Sequence, residues 1–124
     1  MKRILVVDDD FDLVSALKRL LKEKYYVDVA LGGGAALRKL QKDHYDLVLM
    51  DFYMPALNGA GVVERLQDLG IKTPVILMSA VPVLMNSSTI GLHVAGRMPK
   101  PFDLAELEAR IVAVLGPEET PKKP

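Results

Sequence analysis

The chain has 124 residues, 50% hydrophobic and 26% charged, with no cysteine. That is one domain's worth of chain, and it excludes a disordered or collagen-like polypeptide, a disulfide frame and any thiolate chemistry. Sixteen Lys and Arg balance sixteen Asp and Glu, so no global field draws the chain directly to nucleic acid or to an anionic membrane. No apolar run approaches the ~20 residues needed for membrane insertion. Met1-Lys2-Arg3 resembles the start of a signal peptide, but Ile4–Val7 runs into three aspartates and no secretory core follows. The expected location is cytoplasmic.

Ile4-Leu5-Val6-Val7 is a continuous apolar run ending in Asp8-Asp9-Asp10, which predicts a strand buried on both faces. Leu13, Ala16, Leu17, Leu20 and Leu21 then follow helical spacing, with Asp10 or Asp12 as N-cap. Tyr26–Leu31 alternates like a strand. The triplet Gly32-Gly33-Gly34 breaks it as a turn, and Ala36, Leu37 and Leu40 mark a second helix. The triplet lacks the third glycine of a dinucleotide fingerprint, and the second strand is the wrong place for one. Leu47–Met50 is another buried strand, stopping on Asp51. Asn58 caps a third helix carrying Val62, Val63, Leu66 and Leu69, which Gly70 ends. Val75–Met78 is a fourth strand, stopping on Ser79. Residues 81–91 hold Pro82, Asn86, Ser87, Ser88, Thr89 and Gly91, all poor in a helix interior, and predict a short, labile helix. His93–Met98 reads as the last strand. Leu104, Leu107, Ile111, Val114 and Leu115 form the stripe of a final helix capped by Asp103. Residues 1–116 are expected to be the domain, and 117–124 a solvated tail or the start of a linker.

Met50 and Met54 are expected to fill the core, and Tyr25, Tyr26 and Tyr45 to sit at its boundary. His44 reads as a helix-end residue and His93 as structural.

Five alternations of strand and helix argue for a parallel sheet covered on both faces, with a ligand site beyond the carboxyl ends of its strands. Those ends carry Asp8, Asp9, Asp51, Ser79 and Lys100. If the first and third strands are neighbours, three carboxylates converge, and two of them at ~5 Å repel by about 3 kcal/mol at an effective dielectric of about 20. A hard divalent cation relieves that repulsion, and all-oxygen ligation with room for waters suits Mg²⁺. Lys100 adds a point charge, and Ser79 a hydroxyl donor, for a phosphoryl oxygen. In that company a carboxylate becomes a phosphoryl acceptor.

Four blocks stand in the order and at the spacing of a known family: Ile4-Leu5-Val6-Val7-Asp8-Asp9, Asp51-Phe52-Tyr53-Met54-Pro55 with Asn58-Gly59, Ser79-Ala80, and Lys100-Pro101-Phe102. Over residues 2 to about 115 the sequence resembles the receiver domain of bacterial two-component response regulators. The resemblance implies an α/β flavodoxin-like (βα)₅ fold, a doubly wound parallel five-stranded sheet with strand order 2-1-3-4-5. It implies that Asp51 takes a phosphoryl group from a sensor histidine kinase or a phosphotransfer protein. Asp9, Asp51 and the backbone carbonyl of Tyr53 would ligate Mg²⁺, with Asp8 acting mainly through a metal-bound water. Lys100 and Ser79 would hold the phosphoryl oxygens, with a cis bond between Lys100 and Pro101. The output would be a surface built from segment 81–91, the fifth strand and the last helix. That surface would serve a downstream target, a fused output domain or a second copy of the chain. Such a domain is a switch that assists its own phosphorylation and dephosphorylation, not a turnover enzyme.

The sequence departs from the family on that surface. Arg97 stands three residues before Lys100, where the family usually has an aromatic switch residue whose ring moves with Ser79, and arginine is costly to bury there. Pro99 cannot donate to a ladder and so requires an edge strand. Tyr53 is bulky beside the phosphoacceptor and is expected to shield it from water. Arg97 and the poor helix over 81–91 keep a second reading alive, a docking domain that works without phosphorylation. A third, a phosphatase of the haloacid dehalogenase-like kind, is suggested by Asp8-x-Asp10 and opposed by the short chain and by Asp51.

Overall fold

Every residue from Ile4 to Val7, Leu47 to Asp51 and Val75 to Ser79 is buried, as continuous apolar runs require when helices cover both faces of a sheet. In the computed structural model, which describes residues 1–80 and 94–117, these runs form β1 (Arg3–Val7), β3 (Leu47–Asp51) and β4 (Val75–Ser79). They are joined by β2 (Tyr26–Ala30) and β5 (Gly96–Pro99), with helices α1 (Phe11–Leu21), α2 (Gly33–Lys42), α3 (Gly59–Asp68) and α4 (Leu104–Leu115). All strand pairs are parallel and the order is β2-β1-β3-β4-β5. The expected helix over 81–91, His93 and the tail beyond residue 117 lie outside the described residues.

The period of two along each strand divides the core into two layers. Ile4, Val6, Leu47, Leu49, Ile76 and Met78 face α1 and α4, where Val14, Leu17, Leu21, Leu107 and Ile111 meet them. Leu5, Val7, Val48, Met50 and Leu77 face α2 and α3, where Ala36, Leu37, Leu40, Val62, Val63 and Leu66 close the other layer. Asp10 caps α1 by accepting from the Asp12 and Leu13 N–H groups at 3.0 and 3.2 Å. Asn58 caps α3 through the Gly61 N–H at 2.8 Å, and Asp103 caps α4 through the Glu106 N–H at 2.7 Å. Among the described residues no helix is long and apolar enough to cross a membrane.

Several local expectations need correction. The inward stripe of α1 is Val14, Leu17 and Leu21, while Leu20 is exposed. Two of the three glycines belong to α2 and only Gly32 precedes it. A Cβ on Gly33 would lie 2.5 Å from the Leu57 carbonyl oxygen, so the glycine is there for close approach rather than for a turn. Gly70, at φ +72°, does end the turn after α3, but Leu69 is exposed and Ile71 packs in its place. Tyr45 is not a boundary residue. It is fully buried, donates its hydroxyl to Asp28 at 2.7 Å, and lies 4.7 Å beneath the Arg3 guanidinium, which in turn bonds Asp28 at 3.0 Å.

Candidate functional site

Hydrogen-bonded neighbours β1 and β3, in register with Val7 opposite Met50, bring together the aspartates that follow them. One oxygen from each of Asp8, Asp9 and Asp51 lies within 4.8 Å of the others. Asp8 and Asp51 are buried, at 1% and 7% exposure, whereas Asp9 is exposed, so the group is enclosed on one side and open on the other. Asp8 also accepts from the Asp10 N–H at 3.0 Å. The Asp10 side chain is taken up by the α1 cap and stands outside the cluster, which removes the pairing that the phosphatase reading needs.

Lys100 comes from the far side of the sheet. Its Nζ donates to Asp8 at 2.8 Å and stands 3.0 Å from an Asp51 oxygen. Its backbone is fixed by the last rung of the parallel ladder: Ser79 and Pro99 are register partners, and the Lys100 N–H, one residue on, donates to the Ser79 carbonyl at 2.7 Å. That rung turns the Pro99 nitrogen away from β4, where the missing N–H costs the ladder nothing. The Lys100–Pro101 bond is cis, as expected. Ser79 is buried at the end of β4, one residue past Met78, the register partner of Asp51. β5 is an edge strand, as Pro99 requires.

Burial pushes the Asp51 carboxyl above its usual range. The hydrogen bond from Lys100 opposes that shift, and the charges of Asp8 and Asp9 reinforce it. For Lys100, burial acts against the ammonium, but its bonds to Asp8 and Asp51 outweigh it and the pKa is raised. Three carboxylates against one ammonium leave the cluster with excess negative charge. The donors are all oxygen and one side is open, which fits a hard divalent cation that keeps part of its water shell, as Mg²⁺ does.

The loop from Phe52 to Asn58 frames the site. The Phe52 N–H donates to the Met78 carbonyl and the Gly59 N–H to the Phe52 carbonyl, both at 2.7 Å. The Tyr53 side chain is 67% exposed, and its ring meets that of Phe52 edge-on at 6.4 Å. Met54 is buried, as expected. Arg97 sits on β5 opposite Leu77, half-buried, and its carbonyl accepts from the Arg110 guanidinium. Sequence reasoning assigns no task to Gly59, yet a Cβ there would stand 2.8 Å from the Asp51 carbonyl oxygen and 2.9 Å from Leu77. The signal was the Asn58-Gly59 pair opening a helix directly behind the candidate phosphoacceptor.

The family model described as "Response regulator receiver domain" matches residues 4–112. The chain is 42% identical over 118 residues to the transcriptional regulatory protein CpxR of Escherichia coli, covering 93% of this chain and 50% of that protein. It is 35% identical over 111 residues to the transcriptional regulatory protein DltR of Streptococcus agalactiae, covering 88% and 50% respectively. It thus spans about half the length of the curated relatives it matches. Among solved structures it is similar to the response regulator TrrA of Thermotoga maritima in complex with Mg²⁺-BeF, with a TM-score of 0.83 and 32% identity over 93% of this chain and 100% of that one. Sequence and fold thus point the same way, and the chain belongs to the receiver-domain family of bacterial response regulators.

Proposed function

We propose that this domain is a phosphorylation switch in which Asp51 accepts a phosphoryl group from a histidine kinase or a phosphotransfer protein. The observation that carries the reading is Lys100, which bridges Asp8 and Asp51 within a cluster of three carboxylates. An Asp51 oxygen attacks the phosphorus, a P–O bond forms, the P–N bond of the donor phosphohistidine breaks, and the imidazole leaves. Lys100 sits close enough to Asp51 to follow its oxygen and hold a phosphoryl oxygen, and the buried Ser79 supplies a hydroxyl donor beside it. Asp8, Asp9, Asp51 and the Tyr53 carbonyl would hold Mg²⁺, which supplies charge neutralisation for the incoming phosphoryl group. The complex of TrrA with Mg²⁺-BeF supports this ligand class, since that protein is 32% identical. The domain acts as a switch rather than a turnover enzyme. Its output surface is β5, α4 and the segment between β4 and β5, serving an output domain, a downstream protein or a second copy, with residues beyond 116 as tail or linker.

The test is intact-mass analysis after incubation with acetyl phosphate, with and without Mg²⁺, on the wild type and Asp51→Asn. One phosphoryl adduct, dependent on both Mg²⁺ and Asp51, is expected. A folded wild type that binds Mg²⁺ yet gains no adduct would overturn the reading and leave docking without phosphorylation as the function.

A further inference from the structure

The loop that carries Tyr53 leaves the sheet at Asp51 and returns at Gly59, and it is held at two points. At its base the Gly59 N–H closes on the Phe52 carbonyl at 2.7 Å, and the glycine backbone rests against the Asp51 and Phe52 backbone so closely that no side chain fits. Further out, Leu57 is wedged between two helices. A Cβ on Gly33, in the first turn of α2, would lie 2.5 Å from the Leu57 carbonyl oxygen and 3.1 Å from its Cβ. A Cβ on Gly61, in the first turn of α3, would lie 2.6 Å from Leu57 Cδ1. Between the buried Met54 and the wedged Leu57, Pro55 and Ala56 are exposed, and Ala56 adopts φ +67°. A non-glycine residue keeps that conformation only where its surroundings impose it.

We infer that Leu57 is a positioning residue for phosphoryl transfer. Clasped by Gly33 and Gly61, it fixes the loop that aims the Tyr53 carbonyl and the Asp51 backbone, and it ties that loop to the start of α2. This rests on the proposed role of Asp51. Leu57 touches neither donor nor metal. It acts through the five residues that separate it from Asp51.

Three variants test it. Leu57→Ala empties the clasp, Leu57→Met refills it with a flexible chain of similar length, and Gly33→Ala keeps the leucine but pushes on its carbonyl and Cβ and on Val62. Leu40→Ala, which truncates a buried residue of the same core layer, is the stability control. With acetyl phosphate and Mg²⁺, Leu57→Ala and Gly33→Ala are expected to slow adduct formation about tenfold, the scale on which sub-ångström misplacement acts. Leu57→Met restores the rate, and Leu40→Ala lowers Tm without changing it. Equal slowing by Leu40→Ala, or an unchanged rate in folded Leu57→Ala, would overturn the inference. Amide exchange on the metal-free chain separates this outcome from a failure of the proposed function. Leu57→Ala should speed exchange at the Phe52–Gly59 amides and spare those of β1. Unchanged exchange there overturns the clasp even if the wild type is never phosphorylated.

Discussion

Tyr45 is the largest fully buried side chain in the described structure, and its hydroxyl is satisfied by one partner, Asp28. That bond, with burial opposing and Arg3 assisting, holds the Asp28 carboxyl below its usual range. Burial first, and then Asp28, pushes the Tyr45 phenol up to about 12. The two shifts bound a pH window. A carboxyl lowered in the folded state contributes stability above its unfolded pKa of about 3.9, lost as pH falls through the folded value. A phenol raised in the folded state contributes below its unfolded pKa of about 10, lost as pH rises toward the folded value. Tyr45→Phe should therefore cost about 1 kcal/mol at neutral pH, a modest figure because Asp28 is half in water. In thermal melts the difference should shrink below pH 4 and above pH 10, and a pH-independent difference would exclude the bond as its cause. Tyr53 presents the opposite case, an exposed ring beside Asp51, the proposed phosphoacceptor. Replacing it by asparagine is expected to shorten the lifetime of the phosphorylated form by a factor of a few, measured as loss of the adduct mass with time, and an unchanged decay would show that the ring does not shield Asp51. Little of this residue-scale detail was legible in the sequence. The three aspartates, Ser79 and Lys100 were, because each stands at the end of an apolar run or beside a proline. The partners of Tyr45 were not, because Arg3 and Asp28 are remote in sequence and meet it only once β2 and β3 flank β1.

At the scale of elements, periodicity found every described helix and strand but placed some faces wrongly. In α1, Leu13–Leu17–Leu20 and Val14–Leu17–Leu21 are both acceptable stripes on a 3.6-residue period. The direction in which the chain leaves β1 decides between them, and no pattern within the helix encodes it. The α2 glycines suggest a turn because glycine is weak in a helix interior, whereas contact of Gly33 with Leu57 overrides propensity. Caps were legible because their chemistry is local: Asp10, Asn58 and Asp103 all act within three residues of themselves. β5 starts at Gly96 rather than at His93, and of that expected span only residues from Val94 onward are described.

Across the whole molecule, the order β2-β1-β3-β4-β5 reverses at β1 and β3, where an open parallel sheet leaves its crevice. The carboxylates gathered there repel one another in the absence of a cation, so a bound cation should stabilise the entire fold by mass action. At free Mg²⁺ a hundred times its Kd the gain is about 2.7 kcal/mol, roughly 10 °C in Tm for a domain of this size. Melting curves with and without Mg²⁺ should display that rise in the wild type and a much smaller one in Asp51→Asn. An equal rise in both would place the ion elsewhere. The topology was legible in the alternation of elements together with the family's motifs, but alternation alone allows several strand orders.

The place of Pro99 on β5 bears on what can approach the centre from outside. A parallel edge strand turns every second amide away from its neighbour, and such outward amides are an invitation to a further strand. At Pro99 the outward position carries no N–H. A strand arriving alongside the end of β5 would find one donor fewer there, directly before the lysine that bridges two aspartates of the cluster. A residue usually regarded as disruptive in a sheet thus helps to keep intruders off the edge that carries the ammonium.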